Sequence, residues 1–238
     1  MQQLFLKKHE DRRLRAGHLW IFSNEVDVKR SPLTAFAPGE AAQVCAADGR
    51  TIGTGYVNPA SLIAARIVSR KADEPLDAAL IKKRLERALQ LRETLFDVPF
   101  YRLCHGEGDW LPGLVLDRYG DVFSAQITTA GMEAQKDALL EVLGELFTPK
   151  AVLLRNDVGV RTMENLPLLV ETGMGTVPDE AAQPLPSRWR KARRPAGSTT
   201  SAPTGWRPPS TPRARPCSTP SATRARSGSW RPGTARRA

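Results

Sequence analysis

Hydrophobic and polar positions divide the chain into three regimes. Over residues 1 to 70 the apolar runs are short and turn signals recur. QQLFLKK (2–8) fits a short strand, HEDRRLRAGHLWIFSNEV follows with Arg and Lys beside a His-x-Trp-x-Phe cluster, and PGEAAQVCAADG, RTIGTGYVNPAS and LIAARIVSR alternate β-prone runs with turns. Asp48-Gly49 is a hairpin turn and Asn58-Pro59 a breaker, so the pattern predicts a small, mostly β barrel over residues 1–70. The period then changes. Leu76, Ala79, Leu80, Leu85, Ala88, Leu89, Leu91 and Leu95 recur at three- and four-residue steps, which predicts an amphipathic helix over 76–97. A second helix is expected at MEAQKDALLEVLGELF (132–147) and a strand at AVLLRND (151–157), and GVRTMENLPLLVETG follows. This order of strands and helices predicts a compact α+β domain over 73–180.

In the third regime the pattern is lost. Pro184–Ala238 holds one Leu and no Ile, Val, Phe or Tyr, together with ten Pro, thirteen Lys or Arg and no acid. Such a segment cannot bury enough apolar surface to offset chain entropy and is expected to be disordered. Its charge also distorts the average. The whole chain carries +10, but without the tail 22 basic residues face 25 acidic ones, a net of −3. Within that remainder residues 1–70 are mildly basic, ten against six, and 71–183 acidic, twelve against nineteen. Cys45, Cys104 and Cys217 lack metal or redox spacing, the N-terminus has no signal-peptide pattern, and no apolar run could span a bilayer. A reducing cytoplasm is the expected setting, with no membrane partner.

Three stretches, KKHEDRRLRAGHLWIFSNEV, NPASLIAARIVSR and FYRLCHGEGDWLPGLVLDRYGD, resemble the N-terminal part of S-adenosylmethionine-dependent methyltransferases that modify C5 of a cytosine in large-subunit ribosomal RNA. The resemblance covers about residues 4–180, and LPGLVLDRYGD is its most specific string. It implies a PUA-like RNA-binding domain at 1–70, a middle α+β domain at 73–180 and, in the family, a C-terminal Rossmann-like domain that binds S-adenosylmethionine. It also implies ribosomal RNA as partner, with a homodimer as a further candidate.

By the same resemblance Lys7, Lys8, Arg12, Arg13, Arg15, His18, Trp20, Phe22 and Ser23 correspond to an RNA-binding surface. The chemistry is suitable, because cations neutralise phosphates and an aromatic or guanidinium plane can carry an unstacked base. Against this, Trp20 and Phe22 are expected to fill the barrel core as alternate side chains, and Arg12, Arg13 and Arg15 equally fit a solvated face. Glu107, Asp109, Asp117 and Arg118 invite an acid–base reading. The glycines and proline among them point instead to loop caps and to pairs with Arg102 or Arg118. Cys104 beside His105 is a sequence neighbour pair and not an activated thiol, so Cys104 is expected to be a buried small hydrophobe. GMGTVPDE (173–180) lacks the third glycine of a dinucleotide loop and reads as a turn between domains.

The tail encodes something further. Read one frame over, ARRPAGSTTS (192–201) permits QKTGWFYDQ, and PCSTPSATRA, from Cys217 onward, permits VLDAFSYTG. These resemble the family's entry to the donor domain and its donor-holding strand and glycine turn. The shifted codons have their second and third bases fixed by the residues present, so chance agreement over nine positions is improbable. A frame shift between Glu180 and Lys191 is therefore expected, with the Rossmann-like domain absent. In the family a C-terminal cysteine attacks C6 of the cytosine before C5 takes the methyl group, and Cys217 does not correspond to it. No S-adenosylmethionine is expected to bind this chain, and no catalytic or metal-binding residue is expected in it. Two other readings are a stand-alone RNA-binding module with a cationic arm and a partner-binding protein that uses its two helices.

Overall fold

The structure, a computed structural model, describes residues 1–176, all within one compact unit. The expected disordered tail, Cys217 and the last residues of GMGTVPDE lie outside the described residues. Two five-stranded sheets carry the fold. The first comprises β1 (Gln2–Phe5), β2 (Trp20–Ile21), β3 (Glu40–Cys45), β4 (Thr51–Val57) and β5 (Ala65–Ser69), in the order β1-β3-β4-β5-β2. β1 and β3 are parallel and the other pairs antiparallel. Past β2 the chain returns to the free edge of β1 through a Leu6–Val26 bridge, with Lys7 N donating to Glu25 O at 2.9 Å and Asp27 N to Phe5 O at 2.8 Å. That return closes the sheet towards a barrel and removes an exposed edge. Leu4, Leu6, Ile21, Val44, Val57 and Ile67 fill it.

The turn chemistry matches the sequence pattern. At Asp48-Gly49, Gly49 takes φ +89° and the Asp48 carboxylate accepts from Arg50 N at 3.0 Å. At Asn58-Pro59, the Asn58 side chain accepts from Ala60 N at 3.1 Å and the β4–β5 loop closes through Asn58 N to Ala64 O at 2.8 Å.

The second sheet comprises β6 (Phe100–His105), β7 (Leu114–Tyr119), β8 (Val122–Ile127), β9 (Ala151–Asn156) and β10 (Leu169–Gly175), in the order β10-β9-β8-β7-β6. The helices that follow β5 pack on it as amphipathic elements. α2 (Ala78–Leu95; a four-residue turn α1, Arg12–Arg15, precedes it in the barrel) starts at Asp77, whose carboxylate accepts from Leu80 N at 2.8 Å. Its buried stripe is Leu80, Ile81, Leu85 and Ala88. The expected stripe was displaced: Ile81 belongs to it, whereas Ala79, Leu91 and Leu95 are exposed.

The second expected helix is broken. α3 (Ala130–Glu133), capped by Thr129, ends before α4 (Lys136–Phe147) begins. The short first turn is buried at the junction between the sheets, and α4 lies on the second sheet, so the two segments serve different surfaces. GMGTVPDE also differs from expectation, because Gly173–Gly175 completes β10, with Met174 and Gly175 paired to β9 and Gly173 at a register shift.

Between the sheets lies a buried junction. Tyr56 of β4, 2% exposed, joins the second core, and its hydroxyl donates to Pro112 O at 3.1 Å and lies 2.9 Å from Thr129 Oγ1. A Cβ on Gly131 would lie 2.1 Å from that ring, so glycine is required there for close approach. Alongside, the Glu164 carboxylate accepts from Arg66 at 2.9 Å, Asn58 Nδ2 at 2.7 Å and Ser61 Oγ at 2.9 Å, all from the first domain, while Ala130 N reaches it at 3.3 Å. Glu164 and Arg66 side chains are 3% and 7% exposed. Arg161, wholly buried, holds the Gly159–Glu164 turn by donating to Pro167 O at 2.8 Å, to Ile127 O and to Glu133 at 2.7 Å.

Replacing Glu164 with alanine strands the Arg66 charge in this junction. Breaking a buried pair by removing one partner costs about 3–5 kcal/mol. Glu164→Ala is therefore expected to lower the urea midpoint sharply, while an unchanged midpoint would show that the junction does not hold the two sheets together.

Candidate nucleic-acid interface

Each residue expected to contact RNA can be placed, and they do not form one patch. Lys7 Nζ donates to Asn24 O at 2.7 Å, and Lys8 and Arg12 stand exposed. Arg13 pairs with the buried Glu25 at 2.7 Å and lies over the Phe22 ring at 5.1 Å. Arg15 pairs with Asp11 one turn earlier on the same short helical segment. Ser23 is half-buried, its N–H bonded to Leu62 O at 3.0 Å.

Trp20 and Phe22 are not in the core. Ile21 between them is wholly buried, so the alternation of the strand sends its two neighbours outward: Trp20 is 41% exposed and Phe22 half-buried. The period of two was legible, but its phase was not. Trp20 Nε1 then donates to Glu107 Oε1 at 2.7 Å, across to the second domain.

The acids of HGEGDW are all committed to structure. Asp109 receives Arg92 in a bidentate pair at 2.8 and 2.7 Å and also accepts from His105 N at 2.7 Å. Asp117 receives Arg102 at 2.8 Å, as expected from the sequence. Arg118 does not pair with an acid of this group. It donates to Gly120 O at 3.1 Å and to the Tyr101 hydroxyl at 3.2 Å, and lies 5.1 Å from the Phe147 ring centre. Cys104 is wholly buried and burial pushes its thiol well above the usual range, which is the opposite of an activated nucleophile.

What the sequence did not show is the place of Trp110. It follows this loop with φ +62°, a left-handed conformation that costs a non-glycine residue roughly 1–2 kcal/mol. Arg84 of α2 holds it there, donating to Trp110 O at 2.6 Å and to Val68 O of β5 at 2.6 Å. The Arg84 and Arg70 guanidinium carbons lie 5.3 and 5.6 Å from the ring centre. Three adjoining clefts share this tryptophan. One of about 410 Å³ is lined by Arg13, His18, Trp20 and Glu107, one of about 620 Å³ by Arg15, Arg50 and Arg70, and one of about 510 Å³ by Arg70, Lys83 and Arg87. Arg13, Arg15, His18 and Trp20 thus converge on the junction, whereas Lys7, Lys8, Arg12, Phe22 and Ser23 do not line it. The only hint in the sequence was a large aromatic inside a glycine-rich turn.

Gly173 and Gly175, the pair once suggestive of a cofactor loop, sit in a β-strand, not at a strand-to-helix turn. Such a turn is what presents backbone N–H groups to a nucleotide-like ligand, so these residues do not fit S-adenosylmethionine.

Residues 4–70 match the family model of the PUA-like domain, which makes the barrel a PUA-like domain. About three quarters of the chain is similar to proteins named ribosomal RNA large subunit methyltransferase I: that of Erwinia tasmaniensis is 35% identical over 179 residues, 74% of this chain and 44% of the relative. Those of Shewanella amazonensis, 36% over 184 residues, and Aliivibrio fischeri, 36% over 166, cover 76% and 68% of this chain and 45% and 41% of the relatives. The chain therefore spans a little under half the length of these proteins. Among solved structures, a candidate methyltransferase complexed with SAH superposes with TM-score 0.61 at 15% identity, covering 76% of this chain and 44% of its own. A candidate SAM-dependent methyltransferase from Streptococcus mutans gives 0.60 at 16%, covering 76% and 45%. At that identity the likeness is one of fold. Among the described residues no helix is long and apolar enough to cross a membrane.

Burial of Cys104 gives a direct test of its structural role. In the native protein it is expected to resist alkylation at pH 8 and to react once the chain is unfolded in urea, as read by peptide mass. Rapid native labelling of Cys104 would overturn its assignment as a buried structural residue.

Proposed function

We propose that this chain is the RNA-engaging N-terminal portion of an S-adenosylmethionine-dependent methyltransferase of large-subunit ribosomal RNA, whose full-length members methylate C5 of a cytosine. The observation that carries the reading is the 35–36% identity, over 166–184 residues, to proteins named as ribosomal RNA large subunit methyltransferases. The PUA-like domain and the cationic, aromatic surface at the domain junction support RNA as the substrate class. Ribosome modification carries with it a cytoplasmic setting. A second copy of the chain is the protein partner to test for, by light scattering.

As the 238-residue chain alone it does not methylate. Two features support this: Gly173 and Gly175 lie in a β-strand and not at a strand-to-helix turn, and the tail has the composition and the shifted-frame strings of a donor domain read out of frame. Residues from about 181 onward are, in this reading, an out-of-frame translation. The thirteen tail cations favour one second reading, a stand-alone RNA-binding module with a nonspecific arm. Deleting everything after Glu180 separates the two, because an arm-driven binder would lose nearly all affinity and most of its salt dependence.

Purified full chain incubated with ribosomal RNA and methyl-labelled donor is expected to show no incorporation above background, and incorporation would refute the inactive assignment. Sequencing the gene through codons 175–240 and beyond is expected to show the donor-domain motifs in the neighbouring frame. A clean frame with no overlapping donor domain would overturn the out-of-frame assignment while leaving RNA binding in place.

A further inference from the structure

We infer that the clefts around Trp110 form the contact surface for an unpaired segment of RNA, with the Trp110 ring as the platform for a base and cations from both domains on the phosphates. This rests on the RNA-binding reading above and deepens it, because most of the residues concerned lie outside the N-terminal segment that the sequence singled out.

Three observations carry it. The first is convergence. Arg15 ends the short helical turn α1, Arg50 sits on the β3–β4 hairpin, Arg70 directly follows β5, and Lys83 and Arg87 stand one turn apart on α2, yet all of them line clefts that share Trp110. The second is local charge. Eight Lys or Arg and three acids line the three clefts, although residues 1–183 carry a net of −3. Of those acids, Asp109 is matched by Arg92, and Glu107 accepts from the neutral Trp20 indole and keeps its charge; among the cations, Arg13, Arg15 and Arg50 are paired with Glu25, Asp11 and Asp48. The third acid, Glu74, receives Lys71 and Ser69, which hold its carboxyl down at about 2 and take Lys71 out of the free set. Lys83 and Arg87 form no carboxylate pair among the described residues, so they remain open to a ligand anion.

The third observation is Trp110 itself. A large aromatic is held in a left-handed backbone conformation, partly exposed, by two hydrogen-bonded elements. Strain of this kind persists where surrounding structure over-determines it, and it collects at ligand sites. An aromatic plane ringed by guanidinium groups is the chemistry that receives an unstacked base. A paired duplex hides its base faces and would gain little from it, which selects single-stranded over duplex RNA.

The test uses the full chain and two probes, a fluorescent unpaired RNA 12-mer and the corresponding blunt duplex, followed by anisotropy across a salt series. The unpaired strand is expected to bind more tightly. Trp110→Leu should weaken its binding about tenfold, and Trp110→Phe should restore most of the loss. Lys83→Ala with Arg87→Ala, on the exposed face of α2, should lower the salt slope by about 1.4, two phosphates at about 0.7 each. Because the tail cations add affinity of their own, the site is also read by photo-crosslinking with 4-thiouridine RNA, expected at peptides that contain Trp110 and residues 83–87.

The outcomes separate the two claims. No RNA binding by the wild-type chain overturns both. Binding with cross-links confined to Lys7, Lys8 or the tail, and with variants at 83, 87 and 110 at wild-type affinity and salt slope, overturns the Trp110 surface and leaves RNA binding standing. Equal affinity for strand and duplex overturns the choice of unpaired RNA.

Discussion

The buried carboxylate of Glu164 is the constraint on which the rest of the arrangement depends. It sits at the end of a 3-10 turn in the second domain and is satisfied almost wholly by Arg66, Asn58 and Ser61 of the first. Desolvating both charges offsets much of their attraction, so such a pair adds less net stability than its short distance suggests. What it does impose is position. Any sliding of one sheet over the other would leave a charge buried without a partner, and the Tyr56 ring, packed onto Gly131, forbids the same motion sterically. The two domains therefore pack as one compact unit, although each has its own core.

That fixed junction makes the Trp110 surface possible. Arg15, Arg50 and Arg70 belong to the barrel, Lys83 and Arg87 to α2, and the tryptophan to a loop of the second sheet. None of these elements would present a cleft by itself. Arg84 ties the last strand of the barrel to the Trp110 carbonyl, and Arg92 clamps Asp109 just before it. Of the acidic residues that looked catalytic in the sequence, Asp109 and Glu107 fasten this loop and Asp117 ties β7 to β6. Arg92 and Arg102 match the charges of Asp109 and Asp117, whereas Glu107 accepts from the neutral Trp20 indole.

How much of this was legible follows from the range of the forces involved. Asp48-Gly49, Asn58-Pro59 and the capped start of α2 are local, and local chemistry decided them. The Asp117–Arg102 pair was also foreseeable, since β6 and β7 are neighbours in sequence. Errors arose where a neighbouring domain decided the outcome. The outward phase of Trp20 depends on which side of β2 meets Ile21's core, and the break between α3 and α4 depends on Tyr56 arriving from β4. Glu164 carried no signal, because Arg66, Asn58 and Ser61 lie about a hundred residues earlier in the chain, and Trp110 showed only as a large aromatic in a glycine-rich turn.

Net charge was the most misleading global quantity. A value of +10 suggests a polyanion binder, yet thirteen of the cations lie in the tail and the remainder is slightly acidic. Affinity for RNA is set by cations held near one another within a screening length of about 10 Å or less, not by the sum over the chain. The acidic second domain therefore does not argue against an RNA surface. Nine of its carboxylates are held in ion pairs, whereas Lys83 and Arg87 are concentrated beside an aromatic plane and three arginines of the barrel. The fold separates the two populations of charge, and that separation rather than the total is what gives the junction its sign.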